Sequence, residues 1–389
     1  MSDAPLTQSF LRLGRLDLDP RLRALQPGSA ASGLVVTATV EVPDSSSELQ
    51  YAWEVAWSDT VREAGQLGAD QRTAEVLASG AGTAVAAGTR VVVAAHGEVL
   101  LARWLPPGAA AGSVWVGPLP RLQAVAAAVA RRPAHVVLLA DRDGATVIAH
   151  AAGDQLPARR FAVGARPGAQ RGPHPDRPPA EHHGERHVTG PEPRGGGEAN
   201  AEFAAGRLAE AAASVGAHIA LGAGDQDILD AVSAHLPGSL GPVVTIATGP
   251  VAVASDDHLS GEIAVALGQI TASAVDAVGD LVASSTAEPE PGAVRGIEAV
   301  AEQLAERQVS VLLVAADIAS AGAGTAYRIG SQPTDLLPAD ASTGIDVPLE
   351  DGLVWAALHQ DAIVLQLPDR GGPLAGQPTA ALLRRGRFS

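Results

Sequence analysis

The sequence predicts an α/β protein built from three α/β domains, and three observations carry that prediction. Short β-branched runs alternate with Ala-rich helical segments along most of the chain. The 389 residues exceed one ordinary hydrophobic core and suit two or three domains. Two breaks, one at Arg132-Pro133 and one at Ala287-Glu-Pro-Glu-Pro-Gly292, divide it into residues 1–132, 133–286 and 287–389.

In the first part, Leu34–Val42 alternates as a strand and closes at Pro43-Asp44. Ser45 with Glu48 reads as a capping box for a helix reaching Glu63, on which Trp53 and Trp57 share a core face. Arg90–Ala95 and Glu98–Trp104 flank His96-Gly97 as a hairpin. Val114–Val116 is extended, and Leu122–Arg131 is an Ala-rich helix that Pro133 stops.

The second part opens with a strand, turn and strand, His135–Ala140 and Ala145–His150, with Asp143-Gly144 as turn signal. From Pro157 to Gly197 the apolar pattern collapses into a long loop. A helix at Glu198–Val215 follows, then a strand at His218–Gly222, a helix at Asp225–Leu236 and a strand at Pro242–Ala247. Asp256–Val282 is helical. This order predicts a mostly parallel sheet with helices. The last part shows helices at Val294–Arg307 and Leu349–His359, and strands at Ser310–Ala315 and Ala362–Leu367.

Composition excludes whole classes of chemistry. With no cysteine there is no disulfide, thiolate zinc site, iron–sulfur ligation or cysteine nucleophile. All 27 basic residues are arginine, which removes Schiff-base and Walker-type lysine chemistry. Aromatics make up only 3%, too few for base stacking as a main mode of recognition. A net charge of −16 repels phosphate and argues against a general nucleic-acid binder. Residues 1–17 have no apolar core of signal-peptide length, and other apolar runs are short, so a soluble cytoplasmic protein without a membrane span is expected.

Candidate motifs are mostly explained by structure alone. Asp141-Arg-Asp-Gly144 resembles the start of a calcium loop, but its twelfth position is Ala152 where a bidentate Glu is needed. Leu221-Gly-Ala-Gly-Asp225 lies between a strand and a helix yet lacks the third glycine of a dinucleotide turn. His174, His182, His183 and His187 cluster in the long loop without metal-site spacing, so no metal and no cofactor is expected. No Gly-x-Ser-x-Gly elbow supports a serine nucleophile.

The informative feature is the charge of that loop. Arg159, Arg160, Arg166, Arg171, Arg177, Arg186 and Arg194 face only Asp176, Glu181, Glu185 and Glu192, in an otherwise acidic chain. An Arg-rich, Gly-ended segment on an acidic body suits entry into a confined anionic place such as an RNA cavity.

The order of hairpin, loop and helix resembles a known family. Arg131–His150 is similar to the hairpin that opens the middle domain of the archaeal and eukaryotic peptide-release-factor superfamily. Arg194-Gly-Gly-Gly-Glu-Ala-Asn-Ala-Glu-Phe203 falls where release factors carry Arg-Gly-Gly-Gln before a helix. Gly296–Ala315 and Ala380-Ala-Leu-Leu-Arg384 are similar to the L7Ae-like third domain. The resemblance is to the bacterial branch of that superfamily, which also includes Pelota and the bacterial hibernation factor Balon, and it covers most of the chain.

The resemblance implies a middle domain with a release-factor-like mixed sheet and helices, and an L7Ae-like C-terminal domain. It implies a ribosome-bound factor in the A site, with Arg171, Arg177, Arg186, Arg194, Gly195, Gly196 and Gly197 on rRNA of the A site and peptidyl transferase centre. An elongation-factor GTPase is a further partner it allows, and off the ribosome it implies a monomer. In release factors the glutamine helps water attack the peptidyl ester. Here Gly197 stands in its place, or Glu198 if the alignment slides by one. Glycine offers no side chain to position water, and rRNA phosphate repels a carboxylate, so a hibernation or stress factor without hydrolysis is expected. The alternatives are a peptidyl-tRNA hydrolase or rescue factor with Glu198 as candidate catalytic residue, and a ribosome-independent stress or interaction protein.

Overall fold

Packing in the computed structural model divides the chain into two units. One comprises Met1–Arg131, Gly153–Gln155 and Thr271–Ser389; the other comprises Arg132–Ala152 and Leu156–Ile270. The structure describes residues 16, 18–25, 34–42, 49–80, 87–141, 144–163, 197–248, 256–286, 292–318, 327–368 and 370–384. The proposed capping box at Ser45–Glu48 lies outside them.

The first unit begins with a short helix, α1 (Pro20–Arg23), whose first turn is capped by the Asp19 carboxylate. β1 (Val35–Val42) is central in an antiparallel sheet of order β3-β2-β1-β4, with β2 (Gly88–Ala95), β3 (Glu98–Leu105) and β4 (Ser113–Gly117). The β2–β3 turn has φ of 55° at His96 and 74° at Gly97, the double positive φ of a two-residue type I′ hairpin. α2 (Leu49–Gln66) lays Trp53 and Trp57 into the core, their rings 5.1 Å apart, with Trp104 of β3 5.5 Å from Trp53. α3 (Gln71–Ser79) is capped by Asp70, which accepts from the Thr73 amide at 2.9 Å and its hydroxyl at 2.7 Å. The same hydroxyl oxygen accepts from the Gly97 amide at 3.1 Å and ties the hairpin to the helix start. α4 (Gln123–Arg131) follows, with its central alanines buried.

The second unit holds a five-stranded sheet of order β7-β6-β5-β8-β9. Its strands are β5 (His135–Asp141), β6 (Gly144–His150), β7 (Arg159–Val163), β8 (Ile219–Gly224) and β9 (Val244–Thr248). The sheet is mixed: β5–β6 and β6–β7 are antiparallel, while β5–β8 and β8–β9 are parallel. α5 (Gly197–Val215) makes the crossover from β7 to β8, and α6 (Gln226–Ala234), capped by Asp225, the next. Ala201, Ala204, Ala205, Leu208, Ala211 and Ala212 form a helical stripe on α5 that packs with Val136, Leu138, Val147 and Ala149 of the sheet. Small side chains on the helix let it lie close to the strands.

α7 (Asp256–Ser285) starts in the second unit and ends in the first. By length and composition its residues His258–Ser285 could cross a membrane. One face of its second half is used otherwise: Val278 and Val282 are buried in a core with Val311, Leu313, Ile363 and Leu382.

The C-terminal part of the first unit has a sheet of order β10-β16-β11-β15, from β10 (Ala293–Arg295), β11 (Val309–Ala315), β15 (Ile363–Leu367) and β16 (Thr379–Leu383). The helix expected from Val294 starts only at Ile297, as α8 (Ile297–Ala305), because Ala293–Arg295 pairs with β16. Between α8 and α9 (Leu349–His359) sits a three-stranded sheet absent from the sequence reading, β12 (Tyr327–Ile329), β13 (Leu336–Pro338) and β14 (Ile345–Val347). β11 and β15 are parallel and are bridged by α9.

Candidate functional site

The expected ribosome-facing residues Arg171, Arg177, Arg186, Arg194, Gly195 and Gly196 lie outside the described residues, as do His174, His182, His183 and His187. What the structure gives is the scaffold that anchors them. The segment leaves the sheet at the end of β7 and returns at Gly197, the first residue of α5. Glu198 is the second helical residue.

The start of the expected loop is not a loop. Arg159–Val163 pairs with Ala145–Ala149 as the outer strand β7. Its alternation is masked in sequence by two adjacent arginines, and such charges are common on an edge strand, where they oppose pairing with another chain. Arg159 and Arg160 are both exposed. Beside them, the guanidinium of Arg207 on α5 lies 5.0 Å from the Phe161 ring centre and donates to Glu210 Oε2 at 2.5 Å.

Gly222 serves the fold. A Cβ at Gly222 would meet Val243 Cγ1 at 2.5 Å and Leu229 Cδ2 at 2.8 Å, so close packing of Leu229 on α6 and of Val243, just before β9, requires glycine there. Asp225 then caps α6, its side chain accepting from the Asp227 amide at 3.1 Å. Among the described residues no group of three or more His, Asp or Glu side chains is arranged to hold a metal.

Sequence reasoning missed one buried polar pair. His135 and His150 face each other in register across the β5–β6 hairpin, their rings parallel within 2° and 4.7 Å apart. His135 Nδ1 lies 2.9 Å from the Pro133 carbonyl, which assigns the proton to Nδ1 and leaves Nε2 an acceptor. Burial pushes the pKa of His135 down to about 4. Burial first, then His135 and Arg132, takes His150 down to about 3. Both rings are neutral at physiological pH. The register that pairs Asp141 with Gly144 also places His135 opposite His150.

No family model matches this chain, and no curated protein matches it. Solved structures do. Pelota from Archaeoglobus fulgidus is 16% identical, with 76% of this chain and 79% of that one covered and a TM-score of 0.30. A model of ribosome-bound archaeal Pelota and ABCE1 is 14% identical, covering 98% and 93%, at a TM-score of 0.39. The archaeal translation termination factor aRF1 is 13% identical, covering 94% and 95%, at a TM-score of 0.20.

Proposed function

We propose that the protein is a ribosome-binding translation factor that occupies the A site without hydrolysing peptidyl-tRNA, in the manner of a hibernation or stress factor. The observation that carries this reading is the Arg-rich, Gly-ended segment held between an edge strand with exposed Arg159 and Arg160 and the first turn of α5. In a chain of net charge −16, attraction for phosphate has to be local, and this segment supplies it. Both of its ends are set in a packed sheet and helix, so the basic tip would be presented from a firm base.

Absence of hydrolysis follows from the chemistry of the residues that end the segment. Gly197 has no side chain to orient water. The hydrolytic reading draws on Glu198, since a carboxylate can in principle act as a base. Ribosomes holding peptidyl-tRNA, mixed with the pure protein, separate the two. Peptide release at background level is expected. Release well above background that Glu198→Ala abolishes would establish the hydrolytic reading. Failure to co-sediment with ribosomes at low salt would instead favour a ribosome-independent interaction protein.

A further inference from the structure

The first unit contains two four-stranded sheets that lie far apart in sequence, an N-terminal one of order β3-β2-β1-β4 and a C-terminal one of order β10-β16-β11-β15. One connection between them is α4, which follows β4 in the chain and packs on β15 and α9. The residues it buries are Val125, Ala126, Ala127, Ala128 and Val129. Alanine removes little apolar surface from water, so this contact is weak for its length. Arg121, just before α4, adds one polar tie by donating from Nε to Oδ2 of the buried Asp351 at 3.3 Å.

A second connection runs through the residues that precede β1. Leu16, Leu18, Leu22 and Leu25 are all buried, Leu22 completely. The segment shapes itself around the single turn of α1: Asp19 accepts from the Arg21 amide at 2.8 Å, and Arg23 Nε donates back to the Leu18 carbonyl at 3.4 Å. One turn is far below the length at which a helix is stable in water, so this segment owes its order to the surfaces it covers.

Those surfaces belong to both halves of the unit. On one side α1 packs on β3, and Arg21 comes within 3.9 Å of Glu98, the first residue of that strand. On the other, Arg23 Nη2 donates to Asp361 Oδ1 at 2.5 Å, just past the end of α9. The Arg23 carbonyl lies 3.2 Å from Nε2 of His359, the last residue of α9, whose Nδ1 is in turn 3.0 Å from the Trp355 carbonyl.

We propose that residues 16–25 are a strap that couples the two sheets of the first unit, so that neither unfolds without the other. A segment lying on both sheets loses its buried leucines when either one melts, so its burial stabilises only the state in which both are folded. The leucines carry the coupling, because exposed ion pairs contribute little. Arg21 and Arg23 set where the strap lies. With α4 alone, a contact made largely of alanine, the two sheets would unfold in separate steps.

The strap does not rest on the ribosome reading and is tested on the full-length protein without ribosomes. Val311→Ala removes two buried carbons from the core of the C-terminal sheet. It should raise the unfolding equilibrium of that sheet on the order of tenfold. Hydrogen exchange read by mass spectrometry should then show the slowest amides of β1 and β2 accelerated by the same factor as those of β11 and β16. In a Leu22→Ala background the same change should accelerate β11 and β16 alone. Acceleration confined to the C-terminal sheet of the otherwise unsubstituted chain would overturn the coupling. Equal acceleration of both sheets in Leu22→Ala would overturn the strap, because α4 would then suffice. If Leu22→Ala leaves too little folded protein, Leu18→Ala takes its place, with the same two outcomes.

Discussion

Gln360 closes the C-terminal module with one side chain. Its Oε1 accepts from the Val309 amide at 3.0 Å, and its Nε2 donates to the carbonyls of Leu304 and Ala356 at 3.3 and 3.2 Å. The end of α8, the start of β11 and the last turn of α9 thus share one buried amide. Gln360→Leu would leave the Val309 N–H without its acceptor and should cost about 2–4 kcal/mol. Urea unfolding followed by tryptophan fluorescence checks it, because Trp53, Trp57, Trp104, Trp115 and Trp355 all belong to the first unit. Gly222→Ala tests the second unit: overpacking against Val243 and Leu229 should cost about 1–3 kcal/mol. A variant as stable as the parent by circular dichroism would mean that the glycine serves something other than packing.

The histidine pair gives that unit a pH dependence. With native pKa values of about 4 and about 3 against 6.5 in the unfolded chain, the unfolded state takes up protons that the fold excludes. Stability is therefore full above pH 6.5 and falls as the medium acidifies. The slope should be about 1.4 kcal/mol per histidine per pH unit down to the native values. Denaturant midpoints of the second unit between pH 7.5 and 4.5 measure it. His150→Phe, which keeps an aromatic ring in the stack, should make the slope shallower, and an unchanged slope would assign the acid response elsewhere.

On the proposed function, β7 and α5 are the elements that matter most, because the basic segment joins them. Each phosphate met by an arginine adds roughly 0.7–0.9 to the slope of log affinity against log salt. Replacing Arg171, Arg177, Arg186 and Arg194 with Ser should then lower the slope for ribosome binding by about 3. Adding Arg159→Ser and Arg160→Ser should lower it by up to about 2 more. Co-sedimentation over a salt series reads both values. Tight binding by the fourfold variant at every salt concentration would reduce the segment to a linker.

At the scale of the whole molecule, the second unit has its own core between α5, α6 and the five-stranded sheet. Residues 132–270 expressed alone should therefore fold, with a cooperative thermal transition by far-ultraviolet circular dichroism. A fragment without such a transition would show that this core depends on the rest of the chain.

Local chemistry was legible where it acts over a few residues. The hairpin at His96-Gly97, the tryptophan face of α2 and the bounds of α9 follow from turn residues, periodicity and flanking breakers. β7 was not legible, because its two arginines hide a strand that exists by pairing with the neighbouring β6. β10 and the β12–β14 sheet were hidden too: strands of three residues have almost no pattern of their own and exist by pairing.

The sequence by itself determined the α/β class, the order of the long elements, the absence of thiol and lysine chemistry, and the basic segment on an acidic chain. These depend on composition and on short-range periodicity, which are properties of the unfolded chain as much as of the folded one. Only the tertiary structure decided that N-terminal and C-terminal segments share one unit, that His135 stacks on His150, and that Asp351 is closed off beside Arg121. Each of those joins residues through register or packing over a long stretch of chain. Burial, which sets the proton affinities of His135 and His150, exists only once those distant surfaces meet.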